Sequence, residues 1–119
     1  MKRSLILIAL LGAGILALPL PAQEPSGTIS ANPNPCVIER HQKMCTTYLT
    51  WSTQNVRHAR VFVVSEGSKG REESQFSGSH FCESCRAPWI ERRPYTFTLY
   101  DYSRGDRGRV LSSVTVSGR

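Results

Sequence analysis

Cys45-Thr46-Thr47-Tyr48-Leu49-Thr50-Trp51-Ser52-Thr53 is the segment that decides the fold of this chain. Its β-branched and aromatic residues are typical of a strand. Successive side chains of a strand point to opposite faces, so the segment divides into two sets. The set with the larger apolar groups is predicted to face a core, and it consists of Cys45, Thr47, Leu49 and Trp51.

Segments of similar character lie on both sides of this one. They are residues 27–31, 59–65, 72–76, 95–102 and 110–116, separated by turns rich in Gly, Pro, Asn and Ser. Residues 59–65 would place apolar side chains on both faces of a strand, as expected for a central strand. Residues 72–76 are predicted to form a short edge strand with charges facing water. No helical 3.6-residue pattern occurs after residue 22. The sequence therefore predicts an all-β fold, a single antiparallel sandwich of about seven short strands.

The N-terminal 22 residues have the three parts of a secretory signal peptide. Lys2 and Arg3 precede an uncharged apolar run over residues 4–18, and the small residue Ala22 follows two prolines. The alternative is an uncleaved anchor, but a spanning helix needs about 20 apolar residues and this run is shorter. We predict cleavage near Ala22 and a secreted or periplasmic protein that is not integral to the membrane.

Length and charge restrict what the remaining chain can do. The full chain has 119 residues, and removing residues 1–22 leaves 97 residues with 13 basic and 9 acidic side chains, a net charge of +4. A chain of this size forms one core. Multi-domain enzymes, large cofactor folds and polytopic membrane proteins are excluded, and we expect one domain over residues 23–119.

The four cysteines form two local pairs. In an exported chain, Cys36 with Cys45 and Cys82 with Cys85 are expected to form disulfides. Two alternatives remain open at this stage. A zinc site could use the four thiolates, with His41 or His80 as a substitute ligand. A thiol-redox site could use the C-x-x-C of Cys82 and Cys85, although no helix follows it.

The order of elements resembles the fibronectin type III and immunoglobulin-like sandwiches of bacterial secreted or cell-surface proteins. The residues that carry this resemblance are 29–36, 45–52, 61–63, 88–90, 95–100 and 113–116. The resemblance implies that Trp51 is the core tryptophan of the second strand and that Tyr95 is the tyrosine-corner residue, with Trp89 before it. It also implies an accessory role such as spacing, adhesion or contact with proteins and glycans. Residues 81–85 depart from the family pattern and are taken as an insertion.

Catalytic motifs are absent from the sequence. There is no G-x-S-x-G, H-E-x-x-H or P-loop, and the three histidines do not combine with Asp101 or Asp106 into a recognisable site. Glu72 and Glu73 are adjacent, so on a strand they would point to opposite faces. We therefore expect a non-catalytic protein without a cofactor or a bound metal.

Two groups of side chains are candidates for binding. Phe62, Tyr100 and Tyr102 fall on the outward parity of two strands, where aromatic rings can stack on a sugar or meet a protein. The alternative is that this face is ordinary surface or is covered by residues 76–81.

The second group consists of Arg104 and Arg107, in a polar loop where arginine can bind carboxylate or anionic groups. Arg104-Gly105-Asp106 spells RGD, and it also has the composition of an ordinary hairpin turn. The expected partner is a surface protein or an anionic glycan of the cell envelope. Nucleic acid is not expected as a partner of an exported chain.

Overall fold

The computed structural model describes residues 23–67 and 73–119, so the predicted signal peptide lies outside the described residues. Every regular element in this part of the chain is a strand. The seven strands are β1 (Ser26–Asn32), β2 (Cys45–Gln54), β3 (Ala59–Ser65), β4 (Ser74–Ser77), β5 (Cys82–Ile90), β6 (Tyr95–Asp101) and β7 (Val110–Val116). Within these described ranges, no helix is long and apolar enough to cross a membrane.

The strands form two antiparallel sheets. One sheet has the order β1-β2-β5, and the other has the order β4-β3-β6-β7. Buried apolar residues of both sheets form one core cluster. The arrangement is sandwich-like, as the sequence predicts, and β4 is an edge strand as expected, although it begins two residues later than the predicted segment.

The predicted inward parities of β2 and β6 are confirmed. Leu49 is fully buried and Trp51 is 1% exposed, while Phe97 and Leu99 on β6 are fully buried. The polar Thr47 shares this core because its hydroxyl donates a hydrogen bond of 2.7 Å to the carbonyl of Pro33. Strict alternation along these two strands therefore determines which faces form the core.

Four aromatic rings join the two sheets. Phe76 on β4 makes edge-to-face contacts with Trp51, Trp89 and Phe97, at centroid distances of 6.1, 6.2 and 5.2 Å. Trp89 also stacks on Phe97 at 5.9 Å. The alternative in which residues 76–81 cover the outer aromatic face does not hold for Phe76, because its ring packs against the core.

Strand β5 is the element that the sequence analysis missed. The segment taken as an insertion contributes the first residues of this strand, which is an edge of the three-stranded sheet. Its pairing with β2 shifts register, and Ser84 adopts a φ of 61° while its N–H donates to the Thr50 hydroxyl. Such a bulge breaks the alternation that marks a strand in sequence. Pro88 is tolerated because an edge strand has one side without ladder bonds.

Both predicted disulfides are present. The Cα atoms of Cys36 and Cys45 are 5.8 Å apart, and those of Cys82 and Cys85 are 6.1 Å apart. In a regular strand, residues three apart lie about 10 Å from each other and on opposite faces. The bulge at Ser84 brings the second pair within bonding range. Disulfides of this kind indicate an oxidising compartment outside the cytoplasm.

The C-terminal residues form a short parallel ladder with the loop that follows β1. Cys36 bridges Gly118, and backbone hydrogen bonds join Cys36 to Ser117 and Arg119, and Ile38 to Arg119. A Cβ atom on Gly118 would lie 2.9 Å from the Glu91 carbonyl oxygen, so this close approach requires glycine. The ladder fixes the loop between β1 and β2 against the end of the sandwich.

Candidate functional site

The candidate site lies on the outer face of the four-stranded sheet. Antiparallel pairing of β3 with β6 sets Phe62 opposite Thr98 and Arg60 opposite Tyr100. Tyr102 follows β6, and its N–H donates to the carbonyl of His58, which keeps it beside β3. We call the set formed by Arg60, Phe62, Tyr100, Tyr102 and Arg107 the aromatic–arginine cluster.

The three rings of this cluster contact one another directly. Phe62 meets Tyr100 edge-on with centroids 5.8 Å apart, and it stacks on Tyr102 at 5.9 Å with 19° between the planes. Both geometries are favourable for aromatic pairs. The rings also shield the outward residue Thr98, which is only 8% exposed. The outward aromatic face expected from the sequence is therefore assembled as one continuous surface.

Two arginines lie on these rings. The Arg107 guanidinium carbon is 4.7 Å from the centroid of Phe62 and 4.4 Å from that of Tyr100. The Arg60 guanidinium carbon is 4.6 Å from the centroid of Tyr102. These distances are those of cation–π contacts, in which the electron-rich ring face attracts the cation. The surface that the cluster presents is thus aromatic and cationic together.

Glu73 fixes the position of Arg107. Its carboxylate is 2.8 Å from the Arg107 guanidinium, and it accepts hydrogen bonds of 3.2 and 3.1 Å from the Tyr100 hydroxyl. Glu73 is therefore not one of the water-facing charges expected for this segment, since its side chain is only 19% exposed. Arg60 is held in a similar way by a hydrogen bond of 3.2 Å to Gln75.

These contacts change the titration of two groups. Burial raises the pKa of Tyr100 above its ordinary value, and the hydrogen bond to Glu73 raises it further. The side-chain hydrogen bond with Tyr102 raises the pKa of Arg107, which stays cationic at any physiological pH. The raised pKa of Tyr100 means that the folded protein favours the neutral phenol.

This shift gives a pH prediction. The stability contributed by the Tyr100 hydroxyl is fully present below the unfolded pKa of about 10 and is lost as pH rises through the higher folded value. We expect Tyr100 to ionise late in a phenolate absorbance titration, and Tyr100→Phe to remove that late component. Glu73→Gln should move the component to lower pH. An unchanged curve for Glu73→Gln would contradict the role given to this carboxylate.

Arg104 lies apart from the cluster, at the tip of the loop between β6 and β7. Gly105 has a φ of 87°, and its N–H donates to the carbonyl of Tyr102, so the RGD tripeptide forms a tight turn. Both Arg104 and Asp106 are exposed. They line a cleft of about 470 Å³ that Arg57 and Arg109 also border. The structure thus brings together four of the predicted binding residues and places the fifth in an adjoining loop.

The two disulfides differ in accessibility. Cys36 and Cys45 are 1% and 7% exposed, whereas Cys82 and Cys85 are half-buried in the edge strand β5. In residues 23–67 and 73–119, no three or more His, Cys, Asp or Glu side chains are grouped so that they could hold a metal ion. Only the Cys82–Cys85 pair is therefore within easy reach of an external thiol.

Comparisons with protein-family models, characterised proteins and solved structures give no match to this chain. The sequence did not predict Arg60, which belongs to the cluster, or Glu73, which holds Arg107 in place. Arg60 could have been found, because it shares the outward parity of β3 with Phe62. Nothing in the sequence pairs Glu73 with Arg107, since these residues meet only after β3 has joined both β4 and β6.

Proposed function

We propose that this protein is an exported, non-catalytic interaction module of the fibronectin type III or immunoglobulin-like kind. It binds a surface protein or an anionic glycan of the cell envelope through the aromatic–arginine cluster and the adjoining Arg104 loop. The observation that carries the proposal is the cluster itself, in which two guanidiniums lie on three contacting rings at an outer sheet face.

Several features support the type of module. The two antiparallel sheets, of order β1-β2-β5 and β4-β3-β6-β7, are consistent with a sandwich of this kind. Tyr95, at the start of β6, accepts a hydrogen bond of 3.3 Å from the N–H of Glu91, which is the contact expected of a tyrosine corner. Trp51 is buried in the second strand, where the resemblance places it. The predicted signal peptide and the two disulfides fit an extracytoplasmic location.

The composition of the cluster supports binding. Tyrosine and arginine are enriched at the energetic centres of protein interfaces, because both combine a large flat contact area with hydrogen-bonding groups. Arg107 is already immobilised by Glu73 and by two rings. Binding of a partner therefore costs less side-chain conformational entropy at Arg107 than it would at a freely moving arginine.

The adjoining loop supports an anionic partner. Arg104 has no ion pair within the described part of the chain. Its exposed guanidinium can donate two hydrogen bonds to a carboxylate or another oxyanion. Arg109, by contrast, is already engaged with Glu24 and the carbonyl of Pro25. Arg104 is thus the cation of this loop that remains available.

Truncating both parts of the site provides the test. We expect Tyr102→Ala with Arg104→Ala to weaken retention on isolated cell-envelope material at least 30-fold, which corresponds to a loss of about 2 kcal/mol and can come from one such interface residue alone. The matched control is Tyr48→Ala, which removes a 40% exposed tyrosine from the other sheet. Thermal melts should show that both variants remain folded. Equal retention by the double variant and the control would contradict the proposal.

The accessibility of Cys82 and Cys85 favours one alternative, a thiol-redox protein. In that case a mild dithiol would reduce this pair while Cys36 and Cys45 stay bonded, and mass spectrometry after alkylation would find two labels. A structural role for both disulfides predicts no label under the same conditions. The zinc alternative requires free thiolates, and the described structure contains no free cysteine.

A further inference from the structure

A second surface lies at the opposite end of the sandwich from Arg104. Two loops form it, residues 33–44 between β1 and β2, and residues 91–94 between β5 and β6. We call this surface the disulfide end, because the Cys36–Cys45 bridge lies within it. It has no part in the function proposed above, and three of its properties point to one kind of partner.

The first property is an unbalanced positive charge around a cleft. The cleft measures about 410 Å³, and its lining includes Lys43, Arg92, Arg93 and Glu91. Arg93 pairs with Glu91 at 3.5 Å, whereas Lys43 and Arg92 have no ion pair in the part of the chain that the structure describes. Two ammonium or guanidinium groups therefore face an opening large enough for a phosphate group.

The second property is exposed apolar surface beside this charge. Val37 is 57% exposed and Met44 is 44% exposed, and each is the chain neighbour of a bridged cysteine. Since consecutive Cα atoms are 3.8 Å apart and the cysteine Cα atoms are 5.8 Å apart, the Cα atoms of Val37 and Met44 lie within about 13 Å of each other. They are thus neighbours at one end of the molecule, which distinguishes them from scattered surface residues.

The third property is that the surface is held in place. The Cys36–Cys45 bridge closes the first loop, and the ladder to the C-terminal residues pairs both Cys36 and Ile38. The backbone of such a loop needs little further ordering when its side chains bind a partner.

We propose that the disulfide end docks on an anionic phospholipid bilayer. Lys43 and Arg92 take the lipid phosphates, and Val37 and Met44 enter the interface between head groups and acyl chains. The charge complementarity identifies an anion, and the adjacent apolar side chains identify a bilayer as its source, because a soluble anion leaves them in water. Lysine and arginine suit this position, since their stems can lie along apolar surface while the charge remains hydrated.

Vesicle sedimentation with the purified, disulfide-bonded protein tests this inference. We expect binding to vesicles that contain about one third phosphatidylglycerol in phosphatidylcholine, and no binding to phosphatidylcholine alone. Lys43→Gln with Arg92→Gln should weaken binding about 25-fold, or fivefold for each cation. Val37→Ser with Met44→Ser should also weaken it by about fivefold per residue. The control is Arg86→Glu, which lowers the net charge by two, as the Lys43/Arg92 variant does. Arg86 is exposed on β5 of the three-stranded sheet, away from the disulfide end.

Each outcome decides the inference. Losses in both double variants, with near-normal binding by Arg86→Glu, support it. An equal loss in Arg86→Glu and in the Lys43/Arg92 variant would show that only net charge matters, and would overturn it. A loss confined to the Lys43/Arg92 variant would show that charge alone holds the protein on the vesicle and that Val37 and Met44 do not enter the interface, and would overturn the docking mode proposed. Absence of binding to anionic vesicles would overturn it outright. Cell-envelope material also contains anionic phospholipid, so the retention test at Tyr102 and Arg104 is made in a chain that carries Lys43→Gln and Arg92→Gln. In that background the two proposals fail separately.

Discussion

Replacing Trp51 with alanine is expected to lower the free energy of unfolding by about 3–5 kcal/mol. Trp51 is among the largest fully buried side chains, it makes an edge contact with Phe76, and its indole N–H donates a hydrogen bond of 3.0 Å to the carbonyl of Ser79. Truncation therefore opens a cavity between the sheets and releases the segment that leads into β5. A domain of this size has about 5–15 kcal/mol in total, so the variant would lose a large fraction of its stability.

Urea denaturation followed by far-ultraviolet circular dichroism measures this effect without relying on tryptophan fluorescence. Trp51→Phe is the matched variant, because it keeps an aromatic ring against Phe76 and loses only the hydrogen bond to Ser79 together with some volume. We expect it to cost much less than the alanine change, about 1–2 kcal/mol. Similar losses for both variants would mean that the hydrogen bond, and not ring burial, holds the two sheets together at this point.

Removing the Cys36–Cys45 disulfide is the second large effect. Cys36→Ala with Cys45→Ala is expected to cost about 2–5 kcal/mol, mainly because the unfolded chain regains the freedom of the closed loop. The same loop pairs with Gly118 and Arg119, so amide protons there should exchange faster in the variant. Thermal unfolding and hydrogen exchange measure the two parts of the effect.

The second disulfide supplies the comparison. Cys82→Ala with Cys85→Ala removes a bridge within the edge strand β5. Its two cysteines are only three positions apart in the sequence, so it closes a very short loop. We expect a smaller loss of stability, with faster exchange restricted to β5 and its contacts with β2. Equal losses of stability for the two double variants, or a larger loss for the Cys82/Cys85 variant, would contradict the expectation that the Cys36–Cys45 disulfide stabilises the fold more.

The sequence was sufficient to predict most strands and the inward sides of two of them. β2 and β6 alternate strictly, and their predicted inward residues, such as Leu49 and Phe97, are buried. β5 was missed because its bulge at Ser84, its charged residues and Pro88 remove the alternation on which such predictions rest. The cysteine pairs were predictable because each is local in the chain.

The site was predictable only in part, for a similar reason. Parity places Phe62 and Tyr100 on the outer face, and the pairing of β3 with β6 brings them together. The position of Arg107 depends on the course of the loop after β6, and that of Glu73 depends on the chain before β4. Neither follows from periodicity, because loops have no repeating relation between position and direction. The sequence could therefore predict the rings and name Arg107 as a binding residue, but not that Arg107 lies on those rings.

The parallel ladder between Cys36 and Gly118 also determines how the molecule responds to a mechanical load. A pull on Arg119 acts along the ladder and strains the three hydrogen bonds of Cys36 and Ile38 at the same time, rather than opening them one after another. Tension that reaches Cys36 passes through the disulfide to Cys45, the first residue of β2 at the centre of its sheet. Ile38 shares this load through its hydrogen bond to Arg119, whereas residues 39–44 are bypassed by the disulfide, so the part of the loop that holds Lys43 is strained least.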